Sequence, residues 1–158
     1  MDIHDVALRY LAHRDHTVFE MKKHLREKGY QEEEILGLIA SLLEFRYLDD
    51  HAFSRKYLAY AAKKGKALYR IKQELSGKGV SADVIQEALF QDNEEAENIP
   101  PEFERGLVQA EKTLGGQELT EKTMGKIGRR LAGLGYSTEI IYKIIGEMKK
   151  ENREEKDD

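Results

Sequence analysis

One short pattern recurs three times along the chain and limits what the chain can fold into. Each copy has a leucine, a glycine four residues later and an apolar residue directly after the glycine. The copies are Leu25, Gly29 and Tyr30; Leu75, Gly79 and Val80; and Leu131, Gly135 and Tyr136. This is typical of a helix that ends at a left-handed glycine, after which the apolar residue packs back on the last turn. The pattern therefore predicts three helices with the same kind of end.

Further helices are predicted on both sides of each glycine. After the glycines, Ser81 and Ser137 are candidate N-caps, and Gln31 takes that place in the first copy. Before them, Thr17 begins a capping box that is completed by Glu20, Gly65 marks the equivalent break in the second copy, and Thr120 starts the helix of the third. Amphipathic segments at 6–11, 53–58 and 107–114 precede these starts. A unit of three helices thus occurs three times.

These units predict an all-α protein made of three tandem three-helix repeats, at residues 1–48, 49–91 and 102–150. A unit this small buries little core by itself, so we expect the repeats to stack into an elongated, curved body. Residues 92–101 are acidic and end in Pro100 and Pro101, which predicts an extended linker. Residues 151–158 contain no apolar side chain, which predicts a disordered tail.

Several classes of protein are excluded by what the sequence lacks. The chain has no cysteine, which excludes disulfides, thiol catalysis and cysteine-ligated zinc. It contains neither an apolar run of about 20 residues nor a secretory signal, so we expect a soluble cytoplasmic protein. No glycine-rich phosphate loop or catalytic triad is evident, so the sequence predicts neither an enzyme nor a cofactor.

Two groups of polar residues have the composition of metal ligands. Asp49, Asp50 and His51 are adjacent, but an aspartate that caps the helix beginning here explains them more simply. His13 and His16 are three residues apart, and no cysteine or close carboxylate pair completes a tetrahedral set. We therefore predict no metal site.

Charge is distributed unevenly along the chain. The whole sequence has a net charge of −4, residues 1–50 have −4, residues 51–90 have +5 and residues 91–101 have −4. Such a concentration of positive charge favours a polyanion or an acidic protein surface as partner. The alternative interpretation is that solvated lysines and glutamates are scattered by chance over a helical protein.

The candidate binding residues follow from this charge pattern. Basic side chains with interleaved aromatic rings are able to stack on bases or to anchor a protein interface. The central set is Arg55, Lys56, Lys63, Lys64, Lys66, Tyr69, Arg70, Lys72 and Lys78, and a second cluster on one predicted helix is Lys126, Arg129 and Arg130.

Two motifs in the middle of the chain carry a resemblance to a known family. They are Tyr47-Leu48-Asp49-Asp50-x-x-Phe53 and Arg70-Ile71-x-x-Glu74-Leu75-x-x-Lys78-Gly79. Together with the three-helix repeats, they resemble the RecX family of regulatory proteins, which modulate the RecA recombinase, over residues 5–150. The resemblance implies a small all-α protein that binds the RecA filament and lies in its helical groove. It also implies inhibition of ATP hydrolysis and strand exchange during homologous recombination and DNA repair. We further expect a monomer, with the single-stranded DNA of the filament as a second partner.

A stand-alone helical nucleic-acid-binding module is the alternative. It would bind DNA without a protein partner, and its affinity would fall steeply with salt. The low isoelectric point of about 5.8 speaks against it.

Overall fold

All regular structure is helical in residues 1–90 and 98–157, which are the residues that this computed structural model describes. Within them are nine α-helices and no strand, which confirms the predicted all-α fold. The helices are α1 Ile3–His13, α2 Val18–Glu27, α3 Glu32–Glu44, α4 Asp50–Lys63, α5 Leu68–Gly77, α6 Ala82–Phe90, α7 Glu102–Leu114, α8 Glu121–Gly133 and α9 Thr138–Asp157. Residues 92–97 of the predicted linker lie outside the described residues.

The three predicted glycine ends are all present. Gly29, Gly79 and Gly135 have φ angles of 90°, 82° and 95°, in the left-handed region. The residue after each glycine donates its N–H to the carbonyl of the repeated leucine. The N–H to carbonyl distances are 3.2 Å from Tyr30 to Leu25, 3.1 Å from Val80 to Leu75 and 3.1 Å from Tyr136 to Leu131. These leucines are completely buried, so the helix ends are fastened to the core.

The predicted helix starts are also confirmed where a side chain caps them. Thr17 accepts from the Glu20 N–H at 3.1 Å, and the Glu20 carboxylate accepts from the Thr17 N–H at 3.0 Å. Ser81 and Ser137 accept from the N–H groups three residues later, each at 3.2 Å. Gln31 precedes α3 but makes no side-chain cap bond.

The helices are grouped into two compact units that do not follow the order of the chain. The first contains Met1–Leu58 and Gln73–Glu94, and the second contains Ala59–Lys72 and Glu95–Asp158. Each unit has a core of its own. The first core is Ala7, Met21, Leu25, Ile35, Leu38, Ile39, Leu42 and Leu48, and the second is Ala67, Ala110, Ile127, Leu131, Leu134, Tyr136, Ile144 and Met148. The chain passes from one unit to the other within α4 and again within α5, so the middle repeat contributes to both.

In the first unit, the middle repeat contacts the start of α2. The Thr17 hydroxyl donates to the Lys78 carbonyl at 2.6 Å. The Val18 N–H donates to the Asp50 carboxylate at 3.0 Å. Gly79 lies so close to Phe19 that a β-carbon at Gly79 would overlap the Phe19 side chain. The start of α2 is thus satisfied by groups from the next repeat.

The same arrangement recurs in the second unit, at the start of α5. The Ala67 N–H donates to the Leu134 carbonyl at 2.9 Å, and the Leu68 N–H donates to the Glu102 carboxylate at 2.9 Å. Gly135 lies against Arg70 as Gly79 lies against Phe19. We call each such set of contacts a joint: the first joint is at the start of α2, and the second joint is at the start of α5.

The two adjacent aspartates have different roles. Asp49 accepts from the Ala52 N–H at 3.0 Å, which confirms the predicted aspartate cap of α4. Asp50, one residue later, instead reaches the start of α2, and burial raises the pKa of its carboxyl above the ordinary value.

At the C-terminus, α9 continues to Asp157 through the residues where the sequence predicts a disordered tail. Glu, Lys and Arg are good helix formers, and no glycine or proline follows Gly146 to stop the helix. No helix among the described residues has the length and apolar character needed to cross a bilayer.

The ring of Tyr10 lies between two histidine rings in the first unit. The His16 and His24 centroids are 3.6 and 3.8 Å from the Tyr10 centroid, and all three rings are nearly parallel. His16 is buried and donates from Nε2 to the Tyr10 carbonyl at 3.1 Å. Burial lowers the pKa of both His16 and His24 below the ordinary value.

Acidification is therefore expected to destabilise the protein. A histidine with a lowered pKa binds a proton more readily in the unfolded chain, so its stabilising contribution is lost as pH falls below about 6.5. We expect a lower Tm at pH 5.5 than at pH 7.5, and a smaller difference in His24→Phe, which keeps a ring on Tyr10 but does not titrate. The raised pKa of Asp50 acts in the opposite sense and cancels in this comparison. An equal pH dependence in both proteins would contradict a role for His24.

Candidate functional site

Six of the predicted binding residues lie between the end of α4 and the first half of α5, in the second unit. We call them the α5 cationic surface: Lys63, Lys64, Lys66, Tyr69, Arg70 and Lys72. Lys63 and Lys64 are exposed, and Lys66, Arg70 and Lys72 are half-buried. Tyr69 is 63% exposed, as its position beside Arg70 predicts. The structure therefore brings most of the central basic set into one compact unit.

The loop between α4 and α5 is held firmly by its backbone. Gly65 has a φ of 85°, and the Lys66 N–H donates to the Ala61 carbonyl at 3.1 Å. The Tyr136 hydroxyl donates to the Gly65 carbonyl at 2.8 Å. The Arg105 guanidinium donates to the Lys66 carbonyl at 3.3 Å. These bonds fix where the lysine side chains leave the backbone.

The start of α5 lacks the stabilising residues found at the start of α2. In place of the capping Thr17, α5 has Ala67, whose side chain cannot accept a hydrogen bond. In place of Glu20, α5 has Arg70. The first turn of α5 contains no acidic residue. A cation at this positive end of a helix is unfavourable by about 0.3–1 kcal/mol. The chain thus uses a less stable helix start here, and departures of this kind are typical of functional positions.

A groove of about 550 Å³ lies beside this helix start. Its lining combines apolar side chains, cations and the carboxylate that caps α5. The residues are Leu68, Tyr69, Arg70, Lys72, Glu102, Ala132, Gly135, Tyr136, Ser137 and Ile140. The Arg70 Nε is buried and has no hydrogen-bond partner in the part of the chain that the structure describes. Burial also raises the pKa of the Tyr136 hydroxyl, which therefore stays protonated and donates to Gly65.

The remaining three residues of the central set lie in the first unit. Lys78 Nζ is 5.4 Å from the centroid of the Tyr57 ring, a cation–π distance. Lys56 Nζ is 3.5 Å from the Asp15 carboxylate. Arg55 is half-buried. The structure thus divides the predicted set between two units.

The second predicted cluster lies on α8. Lys126, Arg129 and Arg130 are all exposed, and their spacing of three and four residues places them on neighbouring positions of the helix. The structure gives none of the three an ion pair within residues 1–90 and 98–157. They form a separate exposed cationic strip in the second unit.

The residues considered as metal ligands have other partners. His51 Nε2 donates to the Glu87 carboxylate at 2.7 Å, and Asp49 and Asp50 accept from backbone N–H groups. Among the described residues, no group of three or more histidine, aspartate or glutamate side chains is arranged to hold a metal ion.

Sequence reasoning did not identify Glu102, which caps α5 and lines the groove. One signal could have found it. Glu102 begins the first helix of its repeat, as Asp50 does in the repeat before, and both are acidic. An alignment of the repeats at these helix starts would have shown two carboxylates in the same place.

Comparison with known proteins shows the family of the chain. Residues 4–42 match the model of the first three-helix domain of RecX, and residues 49–89 match that of the second. A regulatory protein RecX of Halalkalibacterium halodurans is 32% identical over 97% of this chain, which spans 57% of that protein. A regulatory protein RecX of Vibrio parahaemolyticus is 34% identical over 87% of this chain and 85% of its own length.

A solved structure agrees with these sequence matches. The crystal structure of RecX from Lactobacillus salivarius covers 92% of this chain and 93% of its own, with a TM-score of 0.72 and 26% identity. Both three-helix domain models, curated relatives above 30% identity and this structure point to the same group of non-enzymatic regulators. The chain belongs to the RecX family of regulatory proteins.

Proposed function

We propose that this protein binds the filament of the RecA recombinase and inhibits its ATP hydrolysis and strand exchange, as the RecX resemblance implies. The α5 cationic surface is the main contact, together with Arg55, Lys56 and Lys78 and with the α8 residues Lys126, Arg129 and Arg130. The protein acts in the cytoplasm as a monomer, and single-stranded DNA inside the filament lies close to it.

The observation that carries this proposal is the helix start of α5. Arg70 stands where α2 has the capping glutamate, with Lys66 and Lys72 nearby and Glu102 as the carboxylate bonded to the helix end. An acidic partner supplies further negative charge at a helix start whose own first turn contains Arg70 and no acidic residue. Partner binding is therefore favoured at a helix start that the residues of its own first turn do not stabilise.

Co-sedimentation with preformed RecA filaments tests the proposal directly. We expect the protein to pellet with filaments and to remain in the supernatant with naked single-stranded DNA. Filaments should also show slower ATP hydrolysis as the protein is added. A protein that fails to pellet with filaments, or that pellets equally with naked DNA, would contradict the proposed partner.

Arg70→Gln should separate stability from binding. Glutamine keeps the inner carbons that pack on Gly135 and removes the cation from the helix start, so the free energy of unfolding should rise by about 0.3–1 kcal/mol. Filament binding should weaken at the same time. Arg129→Gln, an arginine change on the exposed part of α8, is the matched control and should leave stability nearly unchanged. A loss of stability in Arg70→Gln would assign Arg70 a structural role instead.

The exposed strip on α8 is the specific observation that favours the alternative function, a nucleic-acid-binding module. This function requires tight binding to an oligo-dT strand without RecA, with an affinity that falls steeply as salt is added. Reversal of Lys126, Arg129 and Arg130 would then abolish the binding, while reversal of Lys63 and Lys64 would have less effect.

A further inference from the structure

We propose that the groove beside the start of α5 binds an acidic peptide segment that carries a bulky apolar side chain between its carboxylates. This inference rests on the proposed function, because it describes the part of a protein partner that the α5 cationic surface receives. It goes further because it assigns a pocket to one apolar side chain of the partner. Binding through charge alone would require no such pocket.

The apolar part of the argument comes from the walls of the groove. Leu68 and Ile140 contribute aliphatic surface, and Tyr69, which also lines the groove, is largely exposed. The volume of about 550 Å³ lies within the range of about 300–1,000 Å³ typical of binding pockets. A side chain such as leucine or phenylalanine is able to leave water here without displacing the core.

The charged part of the argument comes from the groups around that pocket. Arg70 and Lys72 line the groove, and the Arg70 Nε has no acceptor among the described residues. Glu102, a carboxylate in the lining, already accepts from the Leu68 N–H. The lining thus contains two cations, and its one carboxylate is already bonded to a backbone N–H. A carboxylate of the partner would balance the remaining positive charge.

The start of α9 adds to this preference for negative charge. Ser137 lines the groove, and its hydroxyl accepts from the Ile140 N–H at 3.2 Å. The first N–H groups of a helix have no acceptor within the helix, so this end attracts anions. The Glu139 side chain is directed to Lys143, whose Nζ is 3.2 Å away.

A peptide fits these features better than a nucleic-acid strand does. A strand is recognised by a long row of cations that follows its phosphates, with successive bases stacked on aromatic rings. The lining of the groove instead combines apolar side chains with two cations and a carboxylate. This combination matches a mixed acidic and apolar segment.

Titration of the full chain, labelled with ¹⁵N, tests the inference without RecA. The probe is a short capped peptide with one central leucine among aspartates and glutamates. Its two controls replace the leucine with serine, or the acidic residues with their amides. We expect amide shifts at Tyr69, Ser137 and Ile140 with the probe, and binding about tenfold weaker for each control.

Two variants locate the binding. Ala132→Phe fills the groove from an exposed position on α8, and Lys72→Glu reverses a charge in its lining. Each should weaken probe binding about tenfold, while Ala40→Phe, the same change at an exposed position of α3, should have no effect. Equal binding of the serine control, shifts outside the groove, or tighter groove binding of an oligo-dT strand would overturn the inference.

The failure of this inference is distinguishable from the failure of the proposed function. Filament co-sedimentation of Ala132→Phe makes the distinction. If wild type and Ala132→Phe pellet equally with filaments, the groove inference fails and the proposed function stands. If wild type does not pellet with filaments, the proposed function fails, whatever the peptide does.

Discussion

Gly79→Ala is expected to destabilise the protein far more than Gly29→Ala. Both glycines have left-handed backbone, with φ angles of 82° and 90°, so both alanines meet a strain of about 1 kcal/mol. They differ in their surroundings. A β-carbon at Gly29 meets no atom within 4 Å, whereas one at Gly79 overlaps the side chain of Phe19. Relieving such an overlap costs a further ~1–3 kcal/mol of stability.

Thermal unfolding followed by circular dichroism measures the difference between these two alanines. Because the backbone strain is common to both, the excess loss in Gly79→Ala reports the contact between Gly79 and Phe19 in the first joint. A double variant in which Phe19→Gly is added should recover part of that excess, since the Phe19 β-carbon, which lies nearest to the new methyl group, and the ring are both removed. Equal Tm values for the two single variants would show that the start of α2 shifts away from Gly79 at little cost and that the joint contributes little.

Reversing the charges of Lys63 and Lys64, alone and together with Lys66, should abolish inhibition of RecA while the fold stays intact. Lys63 and Lys64 are exposed, so their replacement by glutamate removes little packing. Four or six units of charge change beside Arg70 and Lys72 turn an attractive surface into a repulsive one. Such a change acts first on the association rate and on partner selection.

The measurement is RecA ATPase on single-stranded DNA, titrated with wild type and variants at matched salt. The control reverses Lys22 and Lys23 in the first repeat, where the surrounding sequence is already net negative, and should have a weaker effect. Circular dichroism of each variant verifies the fold. If the triple variant inhibits as well as wild type, the lysines are only a solvated surface, and Lys126, Arg129 and Arg130 become the next residues to test.

The sequence allowed the helix ends to be predicted because they depend on neighbours in the chain. A left-handed glycine, a capping threonine or a serine three residues before an N–H acts within one turn, so Gly79, Thr17 and Ser137 were identified correctly. Local pattern was less informative at the C-terminus. There the lack of apolar residues suggested disorder, whereas the helix propensity of Glu, Lys and Arg agrees with the observed helix.

The contacts that build the joints were not predictable in this way. Asp50 bonds to Val18, and Glu102 bonds to Leu68, across 32 and 34 residues of sequence. An acidic residue in a first helical turn is explained equally well by its own helix, so nothing local marks it as serving another. For the same reason, the sequence grouped Lys78 with Lys72, although the two lie in different compact units.

The sharing of the middle repeat between two cores has a consequence for shortened versions of the chain. A fragment that ends after α6 would contain every residue of two repeats, yet Ala67 belongs to the core of the second unit. The same fragment would lose Glu102 and Leu134, which satisfy the backbone at the start of α5, and the Tyr136 hydroxyl on Gly65. The five positive side chains of the α5 cationic surface would then lie beside a helix start that has lost its cap. A deletion or transplantation should therefore have its boundaries within α4 and α5, where the chain passes from one unit to the other, and should keep each helix start together with the residues that cap it. The part of this protein that has to stay intact is the joint.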